Sequence, residues 1–125
     1  MALRRVLYRA DRMATPATTL PLTAIAPDDG WCDDPADPAY NRPVLLPYPA
    51  SAEALWRADG LYDLAVVLGY NDDPVVPGKG SAIFLHVADP AGGPTEGCIA
   101  LVLSDLLTLV GAVDPATRLI VQPPG

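Results

Sequence analysis

Proline and glycine set the tightest bound on the fold: fifteen prolines and ten glycines are spread through 125 residues with no repeat period. Proline fixes φ and lacks an N–H, which keeps it out of helix interiors and central strands, so this spacing leaves room only for short elements joined by many turns. A strand-rich fold is expected, not a helical bundle. Half of the residues are apolar, enough for one domain with a real core.

The strongest strand signals are "LAVVLGY" (64–70) and "SAIFLHV" (81–87), short apolar runs separated by the turn-rich "NDDPVVPGKG". They are expected to pair antiparallel in the core. "LRRVLYR" (3–9) and "PLTAIA" (21–26) read as further strands around the turn region "DRMATPATT", and Leu3, Val6 and Tyr8 suit an exposed or edge strand. Residues 27–50 hold six of the prolines together with many Asp residues, which predicts a long loop packed in place without regular structure. Ser51 is placed to cap a short helix over 51–60, with Glu53 in its first turn and Gly60 past its end. A second helix is expected from Ser104 through "SDLLTLVGAV", whose leucines recur at helical spacing, followed by a closing strand "TRLIVQ" (117–122).

Charge narrows the partner. A formal net charge of −7 speaks against nucleic acid, whose binding rests on clustered Lys and Arg against phosphates. Arg4, Arg5, Arg9 and Arg12 are half of the basic residues, but "MALRRVLYRADRM" has no apolar stretch of the length that a secretory signal or membrane span needs.

The chemistry concentrates in "HVADPAGGPTEGCIAL" (86–101). His86 is the only histidine, Cys98 is one of two cysteines, and the Gly- and Pro-rich segment between them can fold the two side chains together. Cysteine attacks as thiolate, and its ordinary pKa of about 8.5 leaves it mostly protonated without a base or a cationic neighbour. Histidine is the usual helper. Gly97 carries no side chain, so the backbone N–H groups of Glu96, Gly97 and Cys98 are candidates to hold an oxyanion. Three other readings stand beside this one. Cys98 can be a small buried residue; Cys32 and Cys98 can form the single bridge of a disulfide-bearing β domain; or His86, Asp89, Glu96 and Cys98 can offer ligand types for zinc. That last spacing matches no structural zinc pattern, so no metal is expected. In "GWCDDPADPAYN", Trp31, Asp33 and Tyr40 are candidate groove residues, set against a packed loop with solvated aspartates.

The stretch from "GSAIFLHV" through "PTEGCIAL" to "DLLTLVGAVDPATRLIV" resembles the catalytic core of the L,D-transpeptidases, the YkuD family. In this resemblance His86 matches the strand-end histidine, Thr95 the Ser/Thr of the nucleophile motif, Gly97 its glycine, Cys98 the nucleophile, and Thr117 and Arg118 a late turn. Glu96 stands where most of the family has His, and Ala100 where Asn or Arg is usual. The resemblance implies a mainly β, sheet-rich sandwich with one or two short helices, and a single catalytic domain over 1–125 that lacks the family's N-terminal strands. It also implies acyl transfer on peptidoglycan stem peptides through a thioester on Cys98, with His86 as base, no cofactor, a monomeric state and a place in the bacterial cell envelope or periplasm. A cell-wall peptide-binding module without turnover is the alternative.

Overall fold

The computed structural model describes residues 1–89 and 99–120. The two runs expected to form the core do so: β6 (Leu64–Gly69) and β7 (Phe84–Val87) pair antiparallel, with Ala65 opposite His86 and Val67 opposite Phe84. Around them a five-stranded sheet is built in the order β2-β1-β6-β7-β8 from β1 (Ala2–Tyr8), β2 (Leu22–Ala24) and β8 (Ile99–Leu101). A second sheet has the order β4-β3-β5, from β3 (Asp29–Cys32), β4 (Pro43–Leu45) and β5 (Ala52–Ala54). With one helix among the described residues, α1 (Leu103–Ala112), the fold is mainly β and sheet-rich.

Side-chain alternation along a strand assigns each face of the large sheet its partner. Leu64, Val66, Leu68 and Leu85 point to one side, where Leu106 and Val110 of α1, one helical turn apart, cover them. Each such fully buried aliphatic side chain contributes about 2 kcal/mol. Ala65, Val67 and Phe84 point to the other side and meet Trp31 of the small sheet, with Leu55 and Tyr62. A β-bulge between Leu3 and Arg5 shifts the alternation in β1, so Leu3 and Val6 both reach the helix-covered core.

Four local expectations are corrected. Strand β1 is not an edge: it lies between β2 and β6, and Leu3 and Val6 are buried. The 27–50 segment is not loop throughout, because β3 and β4 arise within it; Pro43 is accommodated on β4, an edge strand, opposite Trp31. No helix forms at Ser51: Ala52, Glu53 and Ala54 pair with Cys32, Trp31 and Gly30, so ladder bonds to β3 outweigh local helix preference. The closing strand is reduced, among the described residues, to one bridge between Arg118 and Ala2, with hydrogen bonds exchanged between Leu119 and Met1. Helix α1 starts one residue before Ser104, with Asp105 in its first turn, where the helix dipole favours a carboxylate. Strand β8, which the sequence reading did not separate from the apolar run after Cys98, runs parallel to β7, with His86 opposite Ala100.

Candidate functional site

His86 is carried by the third residue of β7, and that register determines its surroundings. Its neighbours on the adjoining strands are Ala65 of β6 and Ala100 of β8. Two alanines leave room for the imidazole between them. The ring is on the same sheet face as Phe84, two residues earlier, and it is 4% exposed. Its Nδ1 lies 2.8 Å from the carbonyl oxygen of Val87. A carbonyl only accepts, so this contact assigns the proton to Nδ1 and leaves the lone pair on Nε2.

The loop before β6 supplies a wall. The Val87 amide donates to Leu61 O at 3.0 Å, which fastens that loop beside His86 and sets the Tyr62 ring edge-on to the imidazole, 5.6 Å between centroids. The Tyr62 hydroxyl donates to Glu53 Oε1 on β5. Arg57 stands 3.7 Å from the same carboxylate and 5.2 Å over the Tyr62 ring. A buried imidazole is thus flanked by an aromatic edge that is itself held by a carboxylate and a guanidinium. Tyr62, Glu53 and Arg57 were missed in the sequence; the turn "ADGLYD" was the available signal for the loop, but nothing in it placed a tyrosine beside the histidine.

The remaining expected residues divide into three groups. Thr95, Glu96, Gly97 and Cys98 lie outside the described residues, and so does the expected close approach of Cys98 to His86. Trp31 is buried, donates through Nε1 to Asn41 Oδ1 at 2.9 Å, and meets Phe84 edge-on at 5.2 Å; Phe84 in turn meets Tyr62, so a chain of rings links Trp31 to His86. Tyr40 is buried with its hydroxyl accepting from Gly80 N at 3.0 Å, and Asp33 is exposed, accepting from Ser51 Oγ at 2.6 Å. Among the described residues no cluster of three metal-ligating side chains occurs.

The sequence offers Cys32 as one half of a bridge, within a segment expected to be loop. It is instead a free thiol on β3, fully buried beside Asp37, and burial pushes its pKa up. A free Cys32 speaks against a bridge to Cys98, which lies outside the described residues. Among the described residues no helix is long and apolar enough to cross a membrane.

A family model described as the L,D-transpeptidase catalytic domain, YkuD, matches residues 3–121. No curated protein and no solved structure matches the chain.

Proposed function

The chain belongs to the L,D-transpeptidase catalytic domain family, and on that premise we propose that it is a cysteine-dependent acyltransferase on peptidoglycan stem peptides, with Cys98 as nucleophile and His86 as base. Membership supports an L,D-transpeptidase-type activity in general. The observation that carries the residue roles is the Nδ1 to Val87 O contact, because it presents a basic Nε2 from a fixed, buried ring. The chain order adds support: Cys98 immediately precedes β8 in the sequence, and β8 is the strand that pairs with the His86-bearing β7.

In the first half-reaction the thiol proton passes to Nε2 of His86 and Sγ attacks the carbonyl carbon of the amide between an L-centre residue and the terminal D-alanine of a tetrapeptide donor. The carbonyl oxygen becomes an oxyanion held by the backbone N–H groups of Glu96, Gly97 and Cys98. Collapse breaks the C–N bond, the amine leaves with the proton from His86, and the acyl group stays as a thioester. An acceptor amine, or water for trimming, then attacks the thioester; the C–S bond breaks and the thiol regains its proton. Residues 1–125 serve here as one catalytic domain of the cell envelope, with no cofactor in the sequence of steps.

Intact mass after incubation with a carbapenem tests this. A single adduct that maps to Cys98 and is absent from Cys98→Ser is the expected result. A parent protein that stays unmodified, or an adduct elsewhere, overturns the proposal.

A further inference from the structure

On the same sheet face as His86, but past the aromatic chain, a cavity opens. The strand register puts Arg5, Val67 and Phe84 in one row across β1, β6 and β7, and Leu7, Ala65 and His86 in the next. The row with Arg5 forms the floor of a cavity of about 220 Å³, walled by Trp31 and rimmed by Arg4 and Arg42. Phe84, which lines this cavity with Trp31, is linked to His86 through the Tyr62 ring.

Its charge is set against that of the whole chain. Of the eight basic side chains in a protein of net charge −7, Arg4, Arg9, Arg12 and Arg57 are ion-paired to carboxylates. Of those without such a pair among the described residues, Arg5 and Arg42 lie in this one cavity. Asp72, the acidic residue in the lining, is already taken: Arg4 grips it through Nε at 2.9 Å and Nη2 at 3.2 Å. Arg42 is oriented by carbonyls alone, Asn41 O at 3.1 Å and Asp72 O at 2.6 Å. Arg5 has no hydrogen-bond or ion-pair partner among the described residues. Asn41 is a strut and not a donor to ligand, since its amide already donates to Tyr70 O and Asn71 O and its oxygen accepts from Trp31 and Ala82.

Two guanidiniums without a carboxylate, in a cavity whose lining includes Val67, Phe84 and Trp31, have one natural complement. Guanidinium forks bind planar oxyanions in paired hydrogen bonds, and an aromatic and aliphatic floor takes an apolar body. The volume falls below the roughly 300–1,000 Å³ of pockets for drug-sized ligands, so the body is a few carbons long. We propose that this cavity is a binding site for a small carboxylate with a short apolar body, held at its charged end by Arg5 and Arg42. The site goes beyond the acyl-transfer reading and does not depend on Cys98.

The test is an NMR titration of the full ¹⁵N-labelled chain with three probes: isovalerate, its neutral isostere isovaleramide, and inorganic phosphate. Isovalerate should shift the Arg5 side chain and the Trp31 indole saturably, and isovaleramide should bind at least about tenfold more weakly because the charge-assisted bonds are lost. Arg5→Gln and Arg42→Gln should each weaken isovalerate by about tenfold, while Arg5→Lys, which keeps the charge, should lose less. Arg42 is exposed, so its variant remains informative if Arg5→Gln fails to fold. Cys98→Ser should bind isovalerate as the parent does, which separates failure here from failure of the thiol chemistry. The proposal is overturned if no probe saturates, if the amide binds as well as the acid, if phosphate binds more tightly than isovalerate, or if neither glutamine variant weakens binding.

Discussion

Phe84 is the side chain through which the two sheets lean on one another, and its removal has a calculable cost. It is fully buried, with its ring edge-on to Trp31 at 5.2 Å and to Tyr62 at 5.6 Å. Truncation to Ala removes most of a buried aromatic side chain and leaves a cavity, which costs about 3–5 kcal/mol in comparable cores. Leucine retains much of the apolar volume but loses both edge-to-face pairs, each of about 0.5–1.5 kcal/mol, so Phe84→Leu should cost roughly 1–3 kcal/mol. A domain stable by about 5–15 kcal/mol then loses a large share of its margin in the first variant and a modest one in the second. Urea unfolding followed by tryptophan emission measures both, provided the slope against denaturant is unchanged. An alanine variant within about 1 kcal/mol of the parent would refute the packing argument, and so would a leucine variant as damaged as the alanine one.

Three further outcomes follow from particular groups. Burial raises the Cys32 pKa and covers its sulfur, so peptide mapping should find it unalkylated in the native protein and alkylated in denaturant; fast native labelling would contradict its placement on β3. The Tyr48 hydroxyl donates to Asp37 at 2.7 Å and its pKa is pushed up to about 12, against about 10 for an ordinary tyrosine. A folded value above the unfolded one means that its contribution to stability is fully present below pH about 10 and is lost as pH rises toward 12. Asp37→Asn should therefore shift the ring NMR titration of Tyr48 back toward 10, and a parent Tyr48 that already titrates there contradicts the bond. Glu96→Gln should leave Cys98 alkylation at neutral pH within about tenfold of the parent, or about 1.4 kcal/mol; abolished reactivity in this variant, with His86→Ala intact, would transfer the role of base to Glu96.

What the sequence revealed depends on how local each signal was. Continuous apolar runs made β6 and β7 legible with their antiparallel pairing, and leucine spacing located α1 to within a residue, because these patterns report burial directly. The small sheet was hidden, since three- and four-residue strands such as Pro43–Leu45 and Ala52–Ala54 carry too little periodicity to outweigh their turn residues. Ser51 and Glu53 form a sound helix start in isolation and were overruled by pairing with β3. Leu3, Val6 and Tyr8 suit an exposed or edge strand in isolation, although β1 is interior; past the bulge between Leu3 and Arg5, Arg5 lines the cavity. At the candidate site, His86 was legible as a strand-end residue, whereas Tyr62 reaches it through a loop bond to Val87 that has no sequence signature.

If His86 activates Cys98, the pH profile of Cys98 alkylation, read on its own peptide, carries the signature. A thiol with a pKa of about 8.5 is roughly 3% thiolate at pH 7, so activation by a neighbouring imidazole has room for an increase of about thirtyfold there. The parent should react at a high rate that persists below pH 7. In His86→Ala the rate should be at least about tenfold lower at pH 7 and should rise with a midpoint near 8.5, merging with the parent above it. Superimposable profiles for the two proteins, both rising only near 8.5, would contradict activation by His86.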